Sequence, residues 1–142
     1  MAKLRPIVLI EDDERDADLT VRALRRISLR NPIVHFAEGE KALDFLFRKG
    51  QYRHRPPVNP CVILLDLKLP GLDGLDVLKA VRRDNTTNPI PVFVITASRF
   101  QKNVDEANKL QVTDYLLKPV QFIDFAGVAA KAGLEWGLLS RD

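Results

Sequence analysis

Two hydrophobic patterns alternate along the chain. Short, nearly continuous apolar runs occupy residues 7–10, 33–37, 62–66, 92–96 and 115–117, each bounded by polar or turn-forming residues, and they read as buried strands. Between them, apolar residues return every third or fourth position. Ala17, Val21, Leu24 and Ile27 predict a helix over about 14–26, and Leu43, Leu46 and Phe47 a second over about 40–49. Further helices are expected over about 75–83 and 103–110, with a last one beginning near Gln121. Strand and helix in strict alternation predict an α/β fold: a doubly wound parallel sheet of five βα units. Residues 50–60 contain three prolines and no periodicity, so they are expected to form a loop longer than the usual connection.

Right-handed crossovers between parallel strands bring every strand's carboxyl end to one edge, where open α/β sheets keep their sites. That edge should collect Glu11 and Asp12 after strand one, Asp66 at the end of strand three, Thr96 at the end of strand four and Lys118 after strand five. Singly, each has an ordinary explanation: helix cap, strand propensity, surface turn. Caps do not explain the ordered set.

Carboxylates brought close together repel, and either a raised pKa or a bound cation relieves them. Oxygen-only ligands with no Cys or His nearby in sequence favour Mg²⁺. Asp12 and Asp66 are expected as direct ligands, Glu11 as a ligand through water, and the backbone carbonyl of Lys68 as a further one. Asp66 would also serve as nucleophile toward a phosphoryl group. Thr96 offers a hydroxyl donor, while Lys118 can pair with Asp66 when free and with a phosphoryl oxygen when loaded. The Lys118-Pro119 pair permits a cis bond that would aim the lysine into the site.

The 142 residues suit one domain, and 46% apolar with 29% charged residues excludes a disordered or fibrous chain. No run approaches the ~20 apolar residues of a membrane span, so a cytoplasmic location without a membrane partner is expected. A net charge of +3 is small, and no helix-turn-helix, zinc-finger or aromatic-basic pattern accompanies it, which argues against direct nucleic-acid binding. The single cysteine, Cys61, opens a strand and is expected to be a small core residue.

Four ordered motifs carry a resemblance to the receiver domains of two-component response regulators. They are Val8-Leu9-Ile10-Glu11-Asp12-Asp13, the segment from Asp66 through Pro70-Gly71 to Gly74, Val94-Ile95-Thr96-Ala97-Ser98, and Asp114-Tyr115-Leu116-Leu117-Lys118-Pro119. The resemblance implies a flavodoxin-like fold with strand order 2-1-3-4-5, Mg²⁺ as the required ion, and Asp66 as phosphoacceptor from the phosphohistidine of a sensor histidine kinase. It also implies a switch in which Thr96 moves toward the phosphoryl group and Tyr115 rotates inward. The Pro-rich insertion at 52–60, the segment 84–91 and the Lys118-Pro119-Val120 turn followed by Phe122 and Phe125 resemble receivers partnered with bacterial phytochrome kinases. Two departures stand out. Glu11 occupies a position where aspartate is common, and Lys68 faces the phosphoryl group in the family, which bears on the lifetime of phospho-Asp66.

The expected domain is a single receiver over 1–142 with an extended last helix and no output domain, so output is expected through protein contact or phosphate traffic. Phe122, Phe125, Ala129, Ala132, Trp136 and Leu139 recur at spacings of three and four, the pattern of a helix seam. Part of that stripe must cover the sheet. Its far end, Trp136 and Leu139, is expected to extend beyond the domain body, either into a homodimer contact or folded back as an intramolecular cap, and Phe122, Phe125, Trp136 and Leu139 are the candidate homodimer contacts. Two other classes compete with a signalling receiver that is not an enzyme. An aspartate-nucleophile phosphatase would want an acid two residues after Asp66, where Lys68 stands. A constitutive receiver-like binding module would need a damaged site, whereas Glu11, Asp12, Asp66, Thr96 and Lys118 are all present. His35 and His54, in a strand and a loop, are given no phosphorelay role.

Overall fold

The structure, a computed structural model, describes residues 4–26, 30–98 and 104–133. Strands β1 (Ile7–Ile10), β2 (Ile33–Phe36), β3 (Val62–Asp66), β4 (Val92–Thr96) and β5 (Asp114–Leu117) form one sheet in the order β2-β1-β3-β4-β5. All four pairings are parallel. Helices α1 (Glu14–Arg25), α2 (Gly39–Leu46), α3 (Gly74–Arg83), α4 (Val104–Asn108) and α5 (Phe122–Lys131) connect and cover the strands. The five-unit parallel sheet and its flavodoxin-like order are as expected.

Side chains alternate across the sheet and fill two cores. Val8, Ile10, Ile63, Leu65, Val92 and Val94 face Ala42, Leu46, Val77, Leu78 and Val81 from α2 and α3. Ile7, Leu9, Val62, Leu64, Phe93 and Ile95 face Ala17, Leu24, Phe125 and Ala129 from α1 and α5. With both faces covered, the central strands are continuously buried, which is why they read as unbroken apolar runs.

Differences from the sequence reading are local. The second helix stops at Leu46 rather than near 49, since the chain turns at Arg48 (φ 55°). The loop of 50–60 contains a 3-10 turn, Gly50–Tyr52, and it is anchored. Arg55 lies over the Phe45 ring at 4.2 Å and donates to the carbonyls of Phe45 and Val58, each at 2.9 Å. Within the fourth helical stretch only Val104–Asn108 is helical among the described residues.

The last helix corrects one expectation. Phe125 is fully buried, its ring 6.0 Å from that of Phe93, so it belongs to the part of the stripe that covers the sheet and has no surface to offer a partner. Phe122 is half-buried, and the helix closes at Lys131 with Gly133 in the left-handed region (φ 69°). Trp136 and Leu139 lie outside the described residues, as does Ile27 of the first helix.

Candidate functional site

Each group at the carboxyl edge is delivered by a strand end. Ile10 pairs with Leu65 and Asp66 with Ile95, while Thr96 pairs with Leu117, so Glu11, Asp66, Thr96 and Lys118 emerge side by side. The loop after β3 is held close by two local features. The Lys68 N–H donates to Asp66 Oδ1 at 2.9 Å, and the Gly74 N–H donates to the Leu67 carbonyl at 3.0 Å. A Cβ at Gly74 would fall 2.4 Å from Leu67 Cα and 2.5 Å from the Asp66 carbonyl oxygen, so only glycine lets α3 begin against the backbone of Asp66.

Lys118 is the centre of the cluster. Its Nζ lies 2.7 Å from Asp66 Oδ2, 2.8 Å from Glu11 Oε1 and 3.2 Å from Asp16 Oδ2. The Lys118-Pro119 bond is cis. Burial opposes the lysine's charge, but the hydrogen bond to Asp66 and the contact with Glu11 outweigh it and hold the ammonium above the ordinary lysine range. Glu11 is fully buried. Burial first, then the neighbouring Asp66, push its carboxyl up to about 7, against the lowering pull of Lys118.

A cation fits this donor set. Glu11, Asp12 and Asp66 each present a carboxylate oxygen within 4.8 Å of the others, and Glu11 Oε1 is a buried oxygen that accepts no aligned hydrogen bond. One ammonium offsets only part of that charge, leaving an all-oxygen site suited to a hard divalent ion. For Lys68 the described contact is through its N–H, while its side chain is exposed.

Thr96 is buried, and its hydroxyl donates to the Ser98 carbonyl at 2.8 Å, turned into the connection after β4. The half-buried Tyr115 packs beside the α2–α3 core, and its hydroxyl reaches α4, donating to Asn108 Oδ1 and, at 3.4 Å, to the Val104 carbonyl. Burial, then the charges of Asp105 and Asp114, raise its pKa. Cys61 is buried at the opposite end of the sheet, as expected of a core residue. His35 donates from Nε2 to the Glu11 carbonyl at 2.7 Å, so this exposed ring fastens the backbone beneath the acidic pair.

Sequence reasoning missed Asp16, the third carboxylate at Lys118. The available signal was its place one helical turn after Asp12, yet an acid in the first turn of a helix ordinarily needs no explanation beyond the helix dipole.

Fold and edge together define a class of protein: a doubly wound parallel sheet that delivers a lysine and a knot of carboxylates to one point. The chain belongs to the response regulator receiver domain family, which matches residues 7–128. It is similar to the response regulator Rcp1 of Synechocystis sp. (strain PCC 6803), 34% identical over 112 residues that cover 79% of this chain and 75% of that protein. Among solved structures, the bacteriophytochrome response regulator RtBRR is 43% identical with a TM-score of 0.88, covering 97% of this chain and 83% of that one. The bacteriophytochrome response regulator AtBRR is 41% identical with a TM-score of 0.89, covering 99% and 100%. Rcp1 itself has been solved in a Mn²⁺-bound form, 32% identical to this chain with a TM-score of 0.75, covering 92% and 95%. No helix among the described residues is long and apolar enough to cross a membrane.

Proposed function

We propose that this protein is a single-domain response regulator that accepts a phosphoryl group on Asp66 from a sensor histidine kinase, with Mg²⁺, and signals through a protein-contact surface. One observation carries the reading: the Asp66 carboxylate stands 2.7 Å from Lys118 Nζ and within 4.8 Å of the carboxylate oxygens of Glu11 and Asp12. An Asp66 oxygen attacks phosphorus, the O–P bond forms as the N–P bond of phosphohistidine breaks, and the departing imidazole keeps the electron pair. When bound, the divalent ion supplies neutralisation of charge on the transferring oxygens. Asp12 and Asp66 would hold it directly and Glu11 through water, with the Lys68 carbonyl completing the set by family resemblance. A carboxylate loaded and unloaded in this way is a signal-bearing group rather than the catalyst of a turnover reaction.

Switching follows from the two engaged hydroxyls. A phosphoryl oxygen offers Thr96 a charged acceptor, stronger than the Ser98 carbonyl it now serves. Withdrawal of that hydroxyl from the β4–α4 connection frees Tyr115 to leave Asn108 and Val104, which changes the surface made by α4 and β5. Similarity to two bacteriophytochrome response regulators supports a phytochrome-type kinase as the donor.

Incubation with acetyl phosphate and Mg²⁺, followed by intact mass, tests the central claim. The wild type is expected to gain one phosphoryl group and Asp66→Asn none. A wild type that gains nothing, or a variant that gains as much, overturns it.

A further inference from the structure

Asp16 is the one Lys118 partner to which the reaction has so far assigned no task. The cap of α1 is supplied by Asp13, whose side chain accepts the Asp16 N–H at 2.9 Å. The backbone beneath it is fixed by Thr20, whose hydroxyl donates to the Asp16 carbonyl at 2.9 Å. The first turn of α1 thus aims Asp16 Oδ2 at Lys118 Nζ, 3.2 Å away and 102 residues distant in sequence. The pair is only partly open to solvent, with side-chain exposures of 20% for Lys118 and 35% for Asp16.

An ammonium has three N–H donors, and here three carboxylates surround it. Two of the three have other duties, since Glu11 and Asp66 belong with Asp12 to the oxygens grouped within 4.8 Å. Asp16 stands outside that group. Once Asp66 is an acyl phosphate its carboxylate charge is gone, and Glu11 would be drawn on by a divalent ion held with Asp12. Lys118 must then release two partners and take up a phosphoryl oxygen, and Asp16 is the partner it can keep.

We propose that Asp16 is a positioning residue for phosphoryl transfer, a fixed anchor that holds the Lys118 ammonium at the site while its contacts pass from the Asp66 carboxylate to the phosphoryl group. The inference rests on Asp66 being the phosphoacceptor. It does not make Asp16 a metal ligand or a catalytic residue.

Two measurements test it. In the first, phosphoryl uptake from acetyl phosphate with Mg²⁺ is timed by intact mass for wild type, Asp16→Asn, Asp16→Glu, Lys118→Gln and the double variant Asp16→Asn/Lys118→Gln. Asp16→Asn is expected to slow uptake about three- to tenfold, through a less well placed cation. Asp16→Glu should recover part of that loss, and with Lys118 already replaced the Asp16 change should have no effect. In the second, made without metal or phosphoryl donor, the Lys118 ammonium is observed by nitrogen-detected NMR. Asp16→Asn should speed exchange of its protons with water, whereas a role confined to α1 would leave it unchanged. An Asp16→Asn rate equal to or above wild type overturns the proposal, as does an equal slowing in the Lys118→Gln background. Unaltered ammonium exchange overturns it too. If wild-type protein takes up no phosphoryl group, the phosphoacceptor reading itself fails, a result the variants cannot mimic.

Discussion

Two half-buried cations sit at opposite edges of the same sheet, and their partners differ in kind. Lys118, at the carboxyl edge, is held by three carboxylates. Arg82, at the end of α3, is held by four backbone carbonyls: Ile90 at 2.8 Å, Asn88 and Gln111 at 2.9 Å and Leu110 at 3.0 Å. Those carbonyls belong to the segments leading into β4 and β5, so one guanidinium ties α3 to two loops at the amino edge. A backbone carbonyl has no other charge state and no other place to go. Carboxylates can be esterified, protonated or turned to a different cation, so the bond that holds Lys118 can also be handed on. Burial lowers the pKa of Arg82, whereas at Lys118 the opposite charges overcome burial and raise it.

The sharpest break in this comparison is expected from Arg82→Ala. Four carbonyls would lose a charged donor, at a cost of about 2–4 kcal/mol in unfolding free energy. Denaturant titration should show a lower midpoint with an unchanged slope, while phosphoryl uptake at Asp66 in the folded fraction stays near wild type. A stable variant that cannot be phosphorylated would reverse the roles of the two edges.

A smaller effect, with the opposite sign, is expected at the carboxyl edge from Glu11→Gln. Glu11 has its carboxyl raised from an ordinary 4.5 to about 7. A raised carboxyl binds more protons folded than unfolded, so its contribution to stability is fully present below 4.5 and is lost as pH rises through about 7. At neutral pH the wild type therefore carries the cost of this buried charge. Replacing it by the neutral isostere should raise stability at pH 7 by on the order of 1 kcal/mol, flatten the pH dependence between those values, and weaken binding of the divalent ion. Urea titrations across that range check it: an unchanged pH dependence would mean that Glu11 does not titrate there.

The difference between the edges also explains what could be read from the sequence. The bounds of β3 and β4 were legible because parallel strands buried on both faces leave unbroken apolar runs. Glu11, Asp12, Asp66, Thr96 and Lys118 were legible because topology alone sends strand ends to one edge. Asp16 was hidden because its side-chain partner is fixed by the pitch of α1 and the path of the chain after β5, neither of which leaves a spacing in sequence. Arg82 was hidden for a different reason: a basic residue in the last turn of a helix is ordinary, and its partners are backbone groups that every residue has. The α5 stripe was legible as a stripe, yet periodicity could not tell the inward Phe125 from residues on a free face.

The smallest expected change is at Cys61, and it bounds the quiet edge. Its N–H donates to the Pro6 carbonyl at 2.9 Å, and its sulfur lies 3.8 Å from Asn31 Nδ2, among buried neighbours that carry no charge to exchange. Burial pushes the thiol up to about 11, only partly opposed by the charge of Arg5. The reactive thiolate is therefore scarce at neutral pH, and the sulfur is shielded as well. Native protein at about pH 8 should leave a disulfide-exchange reagent unconsumed for as long as the fold holds, then release one equivalent on denaturation. Phosphorylation of Asp66 should not alter that rate, because the Lys118 partners among the described residues, Glu11, Asp16 and Asp66, all lie at the carboxyl edge. Faster labelling after phosphorylation would show that the two ends of β3 communicate and that the division between a fixed edge and a yielding one is incomplete.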